Sequence, residues 1–277
     1  MSVSGGNNNL RLWAKFKRKL RFLNKVAYHN PRPKGLLLRA KGDRVADTVV
    51  DNDTVRASRG GHTYHERWAA RRALQLVFPN DNLYAIAVEG VSPTEKNSPG
   101  KSGEEVADLV FYYGLGDNFV SCERLETVQF KYMVQPTPVT AAFLKKTIEK
   151  FAETILGYES GASAEEVDAK SSFMFVTNAE FNDNLWSAIS SLIDGTTPAD
   201  SGAATQARNL RKWCLAKGLT DPKRLFVRTV FKAGEKGLAA QDNALKRTLT
   251  DWSAGSDSEA RLRLYALQDL IIKKAGP

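Results

Sequence analysis

Three short apolar runs stand out in the middle of the chain, at 83–88, 106–113 and 126–132. Each is rich in β-branched and aromatic residues and has the length of a buried strand. Ahead of them, helical periodicity from about 64 to 77 ends at Phe78-Pro79-Asn80. After them, Pro136-Thr137-Pro138 leads into a helix to about residue 156, with Leu144, Ile148, Phe151 and Ile155 on one face and Gly157 just past its end. A fourth strand is predicted at 173–177, and 90–103 reads as a polar loop. Helix, three strands, helix, strand predicts an antiparallel meander and a crossover helix to a fourth strand, a mixed sheet covered by helices.

The flanks differ. Residues 1–9 are rich in Ser, Gly and Asn, and 10–26 places Trp13, Phe16, Leu20 and Leu23 at helical steps with a basic outer face. Asn30-Pro31-Arg32-Pro33 breaks that helix, and a folded body begins near Arg59-Gly60-Gly61. Beyond 181 the chain reads as helices at 182–193, 203–216, 239–252 and 258–274, with one strand-like run at 225–231. The expected organisation is a basic arm and linker over 1–58, an α/β core over 59–180 and a mostly helical C-terminal portion over 181–277. No internal repeat is visible.

Charge sharpens this picture. The chain of 277 residues has a net charge of +9, and residues 1–45 hold 12 Lys or Arg against the single acid Asp43. The rest is nearly balanced, so the basicity belongs to the arm and points to a polyanion, with nucleic acid ahead of a membrane surface. Lys15, Lys17 and Arg18 are the arm residues expected to meet phosphates. A helix packed on the body with solvated lysines, or a membrane attachment, explains the same face. No stretch approaches about 18 apolar residues, so no membrane span is expected. Cys122 and Cys214 alone rule out a disulfide scaffold and a cysteine zinc site, and they fit a reducing cytoplasm.

The chemistry lies in the second and third runs. Asp108 opens Leu109-Val110-Phe111-Tyr112-Tyr113, and Val128-Gln129-Phe130-Lys131 ends the next run. Strand alternation points Gln129 and Lys131 the same way, and Asp108 joins them if the two strands pair. An acid at one strand start and a polar-x-Lys on its neighbour is the layout of a metal-dependent phosphodiesterase. Each residue also has a plainer explanation. Thr63-Tyr64-His65-Glu66 is a capping box that would occupy Glu66, Asp108 is a polar strand start, and Lys131 points to solvent. Glu89, before Gly90, is equally a strand-end residue.

Residues 59–178 resemble a PD-(D/E)XK nuclease in the variant where Gln129 replaces the second acid. Gly60-Gly61 before the Glu66 helix, Val88-Glu89-Gly90, Asp108 and Val128-Gln129-Phe130-Lys131 resemble more narrowly the double-stranded DNA endonuclease effectors of bacterial anti-phage systems, CBASS and the STAND-ATPase Avs type. The resemblance implies a restriction-endonuclease-like α/β fold and a Mg2+-dependent endonuclease of low sequence specificity, with Mn2+ able to substitute. It implies that Asp108 and the Phe130 carbonyl oxygen ligate the metal, with Glu89 as a further ligand. Glu66 would orient a water or complete the metal's shell, and Lys131 would position the attacking water and offset phosphate charge. Gln129 in place of an acid lowers the site's negative charge, which predicts one metal of modest affinity.

Such an enzyme implies a bacterial cytoplasmic setting and control by homo-oligomer assembly. A regulatory sensor or NTPase module, on this chain or a partner, would supply the trigger. Arg59, Lys96 and Lys101 are further candidates for DNA phosphates, with contacts to the backbone rather than the bases. Alternatives are a modification-dependent Mrr-like restriction nuclease, or a non-catalytic DNA-binding or scaffold module with a decayed site. Gly100-Lys101-Ser102 lacks the first glycine of a P-loop, since position 95 is Glu95. His62 and His65, flanking the predicted helix start, read as surface or capping residues.

Overall fold

The computed structural model describes residues 52–77, 82–96 and 107–253, together with 256, 258, 262, 265–267 and 269. Five strands form one mixed sheet: β1 (Leu83–Val88), β2 (Leu109–Gly114), β3 (Cys122–Lys131), β4 (Ser171–Thr177) and β5 (Thr229–Lys232). They lie side by side in chain order. β1–β2 and β2–β3 are antiparallel, while β3–β4 and β4–β5 are parallel. The α/β class and the meander followed by a crossover are as the periodicity predicts.

Antiparallel strands need only hairpins, whereas each parallel step needs a helical crossover. Helices α3 (Ala141–Glu159) and α4 (Ala164–Lys170) carry the chain from β3 to β4. Helices α5 (Asp183–Asp194), α6 (Ser201–Ala216) and α7 (Pro222–Phe226) carry it from β4 to β5. Side chains at the helix starts fix these boundaries by accepting from free helical amides, as Asn182 does from Leu185 N at 2.8 Å and Asp200 from Ala203 N at 2.8 Å. Gly195 closes α5 with φ 73°, the left-handed conformation that favours glycine there.

Strand alternation divides the core between the two faces. Val110, Tyr112, Leu125, Phe173 and Phe175 meet Leu144, Ile148, Phe151 and Ile155 of α3, with α5 and α6 packed behind. Leu109, Phe111, Val128, Phe130 and Val176 meet Tyr64, Trp68 and Ala69 of α1 (Asn52–Ala73) and Leu245 and Leu249 of α8 (Leu238–Ser253). The C-terminal portion is therefore integral to the sheet, supplying its fifth strand and part of the cover of one face. Among the described residues, no helix is long and apolar enough to cross a membrane.

Several expectations are corrected. Helix α1 begins at Asn52, so the 58/59 boundary falls inside a helix and Thr63 is not a cap. Gly60 sits within it, facing the Tyr132 ring just past β3; a Cβ there would lie 3.2 Å from that ring, a tight approach that the glycine relieves. Helix α3 runs to Glu159, so Gly157 lies inside it. The run 225–231 is split between α7 and β5, and the unpredicted α4 precedes β4. The loop at 90–103 contains a helical turn, α2 (Pro93–Lys96). The arm with Lys15, Lys17 and Arg18, and Lys101 of the P-loop-like segment, lie outside the described residues.

Phe151 is fully buried with its ring centroid 4.8 Å from that of Phe173, joining α3 to β4. Phe151→Ala is expected to cost about 3–5 kcal/mol through lost burial and a residual cavity. Urea unfolding of the variant beside wild type checks this.

Candidate active site

The site lies where β2 begins and β3 ends. One step beyond the Val88–Leu109–Val128 register, Glu89, Asp108 and Gln129 come side by side across three strands. Main-chain bonds tie the row together, from Glu89 N to Asp108 O at 2.8 Å and from Asp108 N to Val128 O at 3.0 Å. Glu89 has φ 53° and Gly90 φ 132°, so β1 stops there in a left-handed turn. For a non-glycine residue that conformation costs about 1–3 kcal/mol and persists only where its surroundings enforce it.

Asp108 is the centre. Its Oδ2 accepts from Gln129 Nε2 at 2.5 Å and from the Phe130 main-chain N–H at 2.6 Å. A carboxylate offers about four acceptor positions on two oxygens, so Oδ1 stands outside this pair of bonds. Burial dominates the electrostatics and pushes the Asp108 carboxyl up to about 6, although the Phe130 amide, the charges of Lys131 and Lys150, and the Gln129 amide all pull it down. Lys131, two residues past Gln129 on the same strand face, is half-buried.

Helix α1 approaches the same point from the other side. His65, not Glu66, is the α1 side chain set against Asp108, with Nε2 3.8 Å from Oδ2. The His65 ring lies 4.9 Å from that of Phe130, centroid to centroid. Burial first, then the neighbouring His62, lowers its pKa to about 4. At neutral pH His65 is therefore uncharged, and its contact with Asp108 is not a salt bridge. Both histidines lie in the helix interior, so neither caps its start; His62 is a surface residue as expected, while His65 is largely buried.

Glu66 is half-buried beside Arg67, His62 and Glu89, and burial raises its carboxyl above the usual carboxylate range. His62 Nδ1 lies 3.6 Å from Glu89 Oε1. The structure thus brings together Asp108, Gln129, the Phe130 backbone, Lys131 and His65, with Glu66, Glu89 and His62 alongside. Arg59 and Lys96 are placed only by their helices, α1 and α2. His65 carried no usable sequence signal, because its partner Asp108 lies 43 positions away in a segment joined to it only by the fold.

Among the described residues, no three His, Cys, Asp or Glu side chains gather closely enough to enclose a metal ion. Mg2+ commonly takes one or two carboxylates and fills its octahedron with water and substrate phosphate oxygens. The remaining acceptor capacity of Asp108 fits that pattern, and Asp108 would supply the carboxylate.

Asp108 sets the sign of one pH dependence. Its folded-state pKa of about 6 lies above the ordinary 3.8, so the fold favours the protonated acid. That contribution is full below the unfolded pKa and is lost as pH rises through about 6. Asp108→Asn, which keeps an acceptor for both donors, is expected to be more stable than wild type by about 1–3 kcal/mol at pH 7.5. The difference should shrink towards pH 4, as read by urea unfolding across that range.

No protein-family model matches the sequence, and no curated protein matches it significantly.

Proposed function

We propose that the chain is a metal-dependent endonuclease of restriction-endonuclease-like fold, hydrolysing phosphodiester bonds of double-stranded DNA with little sequence preference. The observation that carries this reading is the junction of Asp108, Gln129 and Lys131. They meet at one end of a mixed sheet, where an antiparallel meander gives way to a parallel crossover. A divalent cation bound there supplies electrostatic polarisation of the scissile phosphate and activation of water.

The chain's own groups do the rest. Asp108 offers its carboxylate, held in one rotamer by Gln129 and the Phe130 amide. Lys131 sets a positive charge beside it, suited to the charge that builds on a phosphate during attack. Burial of Asp108 limits competing solvent, which strengthens each electrostatic contact. The body is nearly neutral, so the basic arm supplies much of the long-range attraction to DNA.

The setting we propose is an effector of bacterial anti-phage defence. An unspecific nuclease requires restraint, and two copies placed side by side cut both strands, so assembly is the proposed switch. A sensor or NTPase module, on this chain or a partner, would drive that assembly.

One observation favours a second reading, a DNA-binding module without catalysis. The Gln129 amide sits directly on Asp108, where the resembling family most often has an acid. Incubating the full chain at high concentration with supercoiled plasmid and Mg2+ separates the two. The nuclease reading expects nicking and linearisation that EDTA abolishes, with Lys131→Ala at least about 100-fold slower and DNA binding retained. Binding without cleavage supports the second reading, and cleavage unaffected by Lys131→Ala removes the lysine from the site.

A further inference from the structure

We propose that Asn178 is a positioning residue for Lys131, its side-chain amide holding the chain just past the lysine and so fixing where the ammonium points. This rests on the nuclease reading and adds to it a residue beyond the end of β4.

The lysine supplies the first ground. Among the described residues, the Lys131 ammonium has no hydrogen-bond or ion-pair partner. No such partner fixes its aim, so the main chain that carries it must. On the side before the lysine, the Phe130 N–H is held by Asp108 Oδ2 at 2.6 Å. On the side after it, the parallel pairing of β3 with β4 ends at Lys131 and Thr177. A strand end without further bonds frays.

Asn178 acts where the pairing stops. Its Oδ1 accepts from the Met133 N–H at 2.8 Å, and its Nδ2 donates to Met133 O at 2.7 Å. A primary amide carries an acceptor and donors side by side, so it engages Met133 as the peptide of a neighbouring strand would. Lys131 is thus bracketed, through Phe130 by Asp108 and through Met133 by Asn178.

Asn178 is itself held. Thr177 O accepts from Glu235 N at 3.0 Å, and Ala179 O accepts from Gly234 N at 3.0 Å. The turn between β5 and α8 therefore grips the main chain on both sides of Asn178. That turn needs its glycine: Gly234 has φ 64°, and a Cβ there would collide with the Glu180 side chain. A chain of main-chain and amide contacts so runs from the C-terminal portion to the lysine.

Plasmid cleavage by the full chain with Mg2+ is measured for wild type, Asn178→Ala, Lys131→Ala and the double variant. Asn178→Ala is expected to lower kcat at least about tenfold, with KM unchanged within about twofold, as for a misplaced group that acts in the transition state. In the Lys131→Ala background the same substitution is expected to change the rate by less than about twofold, because its effect passes through the lysine. Asn178→Asp, which keeps the acceptor and loses the donor, is expected to fall between wild type and Asn178→Ala. Hydrogen exchange of the wild-type Met133 amide, expected at least about 100-fold slower than in an unfolded chain, reads the clamp without any variant.

Equal losses in the two backgrounds would make Asn178 a structural residue alone and overturn the inference, while the nuclease reading stands. An unprotected Met133 amide would overturn it too. Wild type that binds plasmid without cleaving it would remove the nuclease reading and the positioning role together. If Asn178→Ala fails to fold, Asn178→Asp taken through the same cycle decides the matter.

Discussion

The arrangement at the end of the sheet depends on a carboxylate kept out of water. Asp108 is buried where β2 begins, and among the described residues the Phe130 amide, the Gln129 side chain and two nearby lysine charges offset the loss of hydration. A group in that position destabilises the fold at neutral pH relative to a neutral isostere. Such costs concentrate at sites where chemistry needs a charge in a dry, preorganised environment. The turn at Glu89, the aromatic packing of Phe130 and the approach of α1 all serve to hold that carboxylate in one place.

Around it, the two sheet faces do different work. The α3 face is an apolar core of Leu144, Ile148, Phe151 and Ile155 that fixes the crossover and therefore the parallel pairing of β3 with β4. The α1 face is built partly from distant sequence: Leu245, Leu249 and Leu267 join Tyr64 and Trp68 beneath the sheet. Arg71 donates to Gln241 at 2.5 Å and Arg67 pairs with Asp242, so α8 clamps the helix that carries His65. The position of an α1 side chain relative to Asp108 is thus set in part by the C-terminal portion.

Much of the frame was legible in the sequence because its strands are short, apolar and buried. Period-two alternation was enough to put Gln129 and Lys131 on one face; their meeting with Asp108 rested on the pairing of β2 with β3, which the fold supplies. The start of α1 was not legible. Gly60-Gly61 has poor helix propensity and looks like a boundary, yet both lie inside α1, with Gly60 against the Tyr132 ring. That misplaced start made Thr63 look like a cap and His65 a surface residue. Helix α4 was missed although Ser163 accepts from Glu166 N at 3.2 Å, a Ser-x-x-Glu signal readable in advance. The run 225–231 misled for another reason, since apolar content alone does not separate a short helix from a short strand.

A divalent cation at Asp108, between β2, β3 and α1, is what the proposed chemistry most depends on. Fe2+ loaded in place of the native ion, with ascorbate and peroxide, cuts the backbone close to where it is bound, and mass spectrometry maps the cuts. Scission is expected to cluster near residues 62–66, 89, 108 and 129–131, to be suppressed by excess Mg2+ and to be absent in Asp108→Ala. Scattered cuts, or a pattern unchanged in Asp108→Ala, would contradict it.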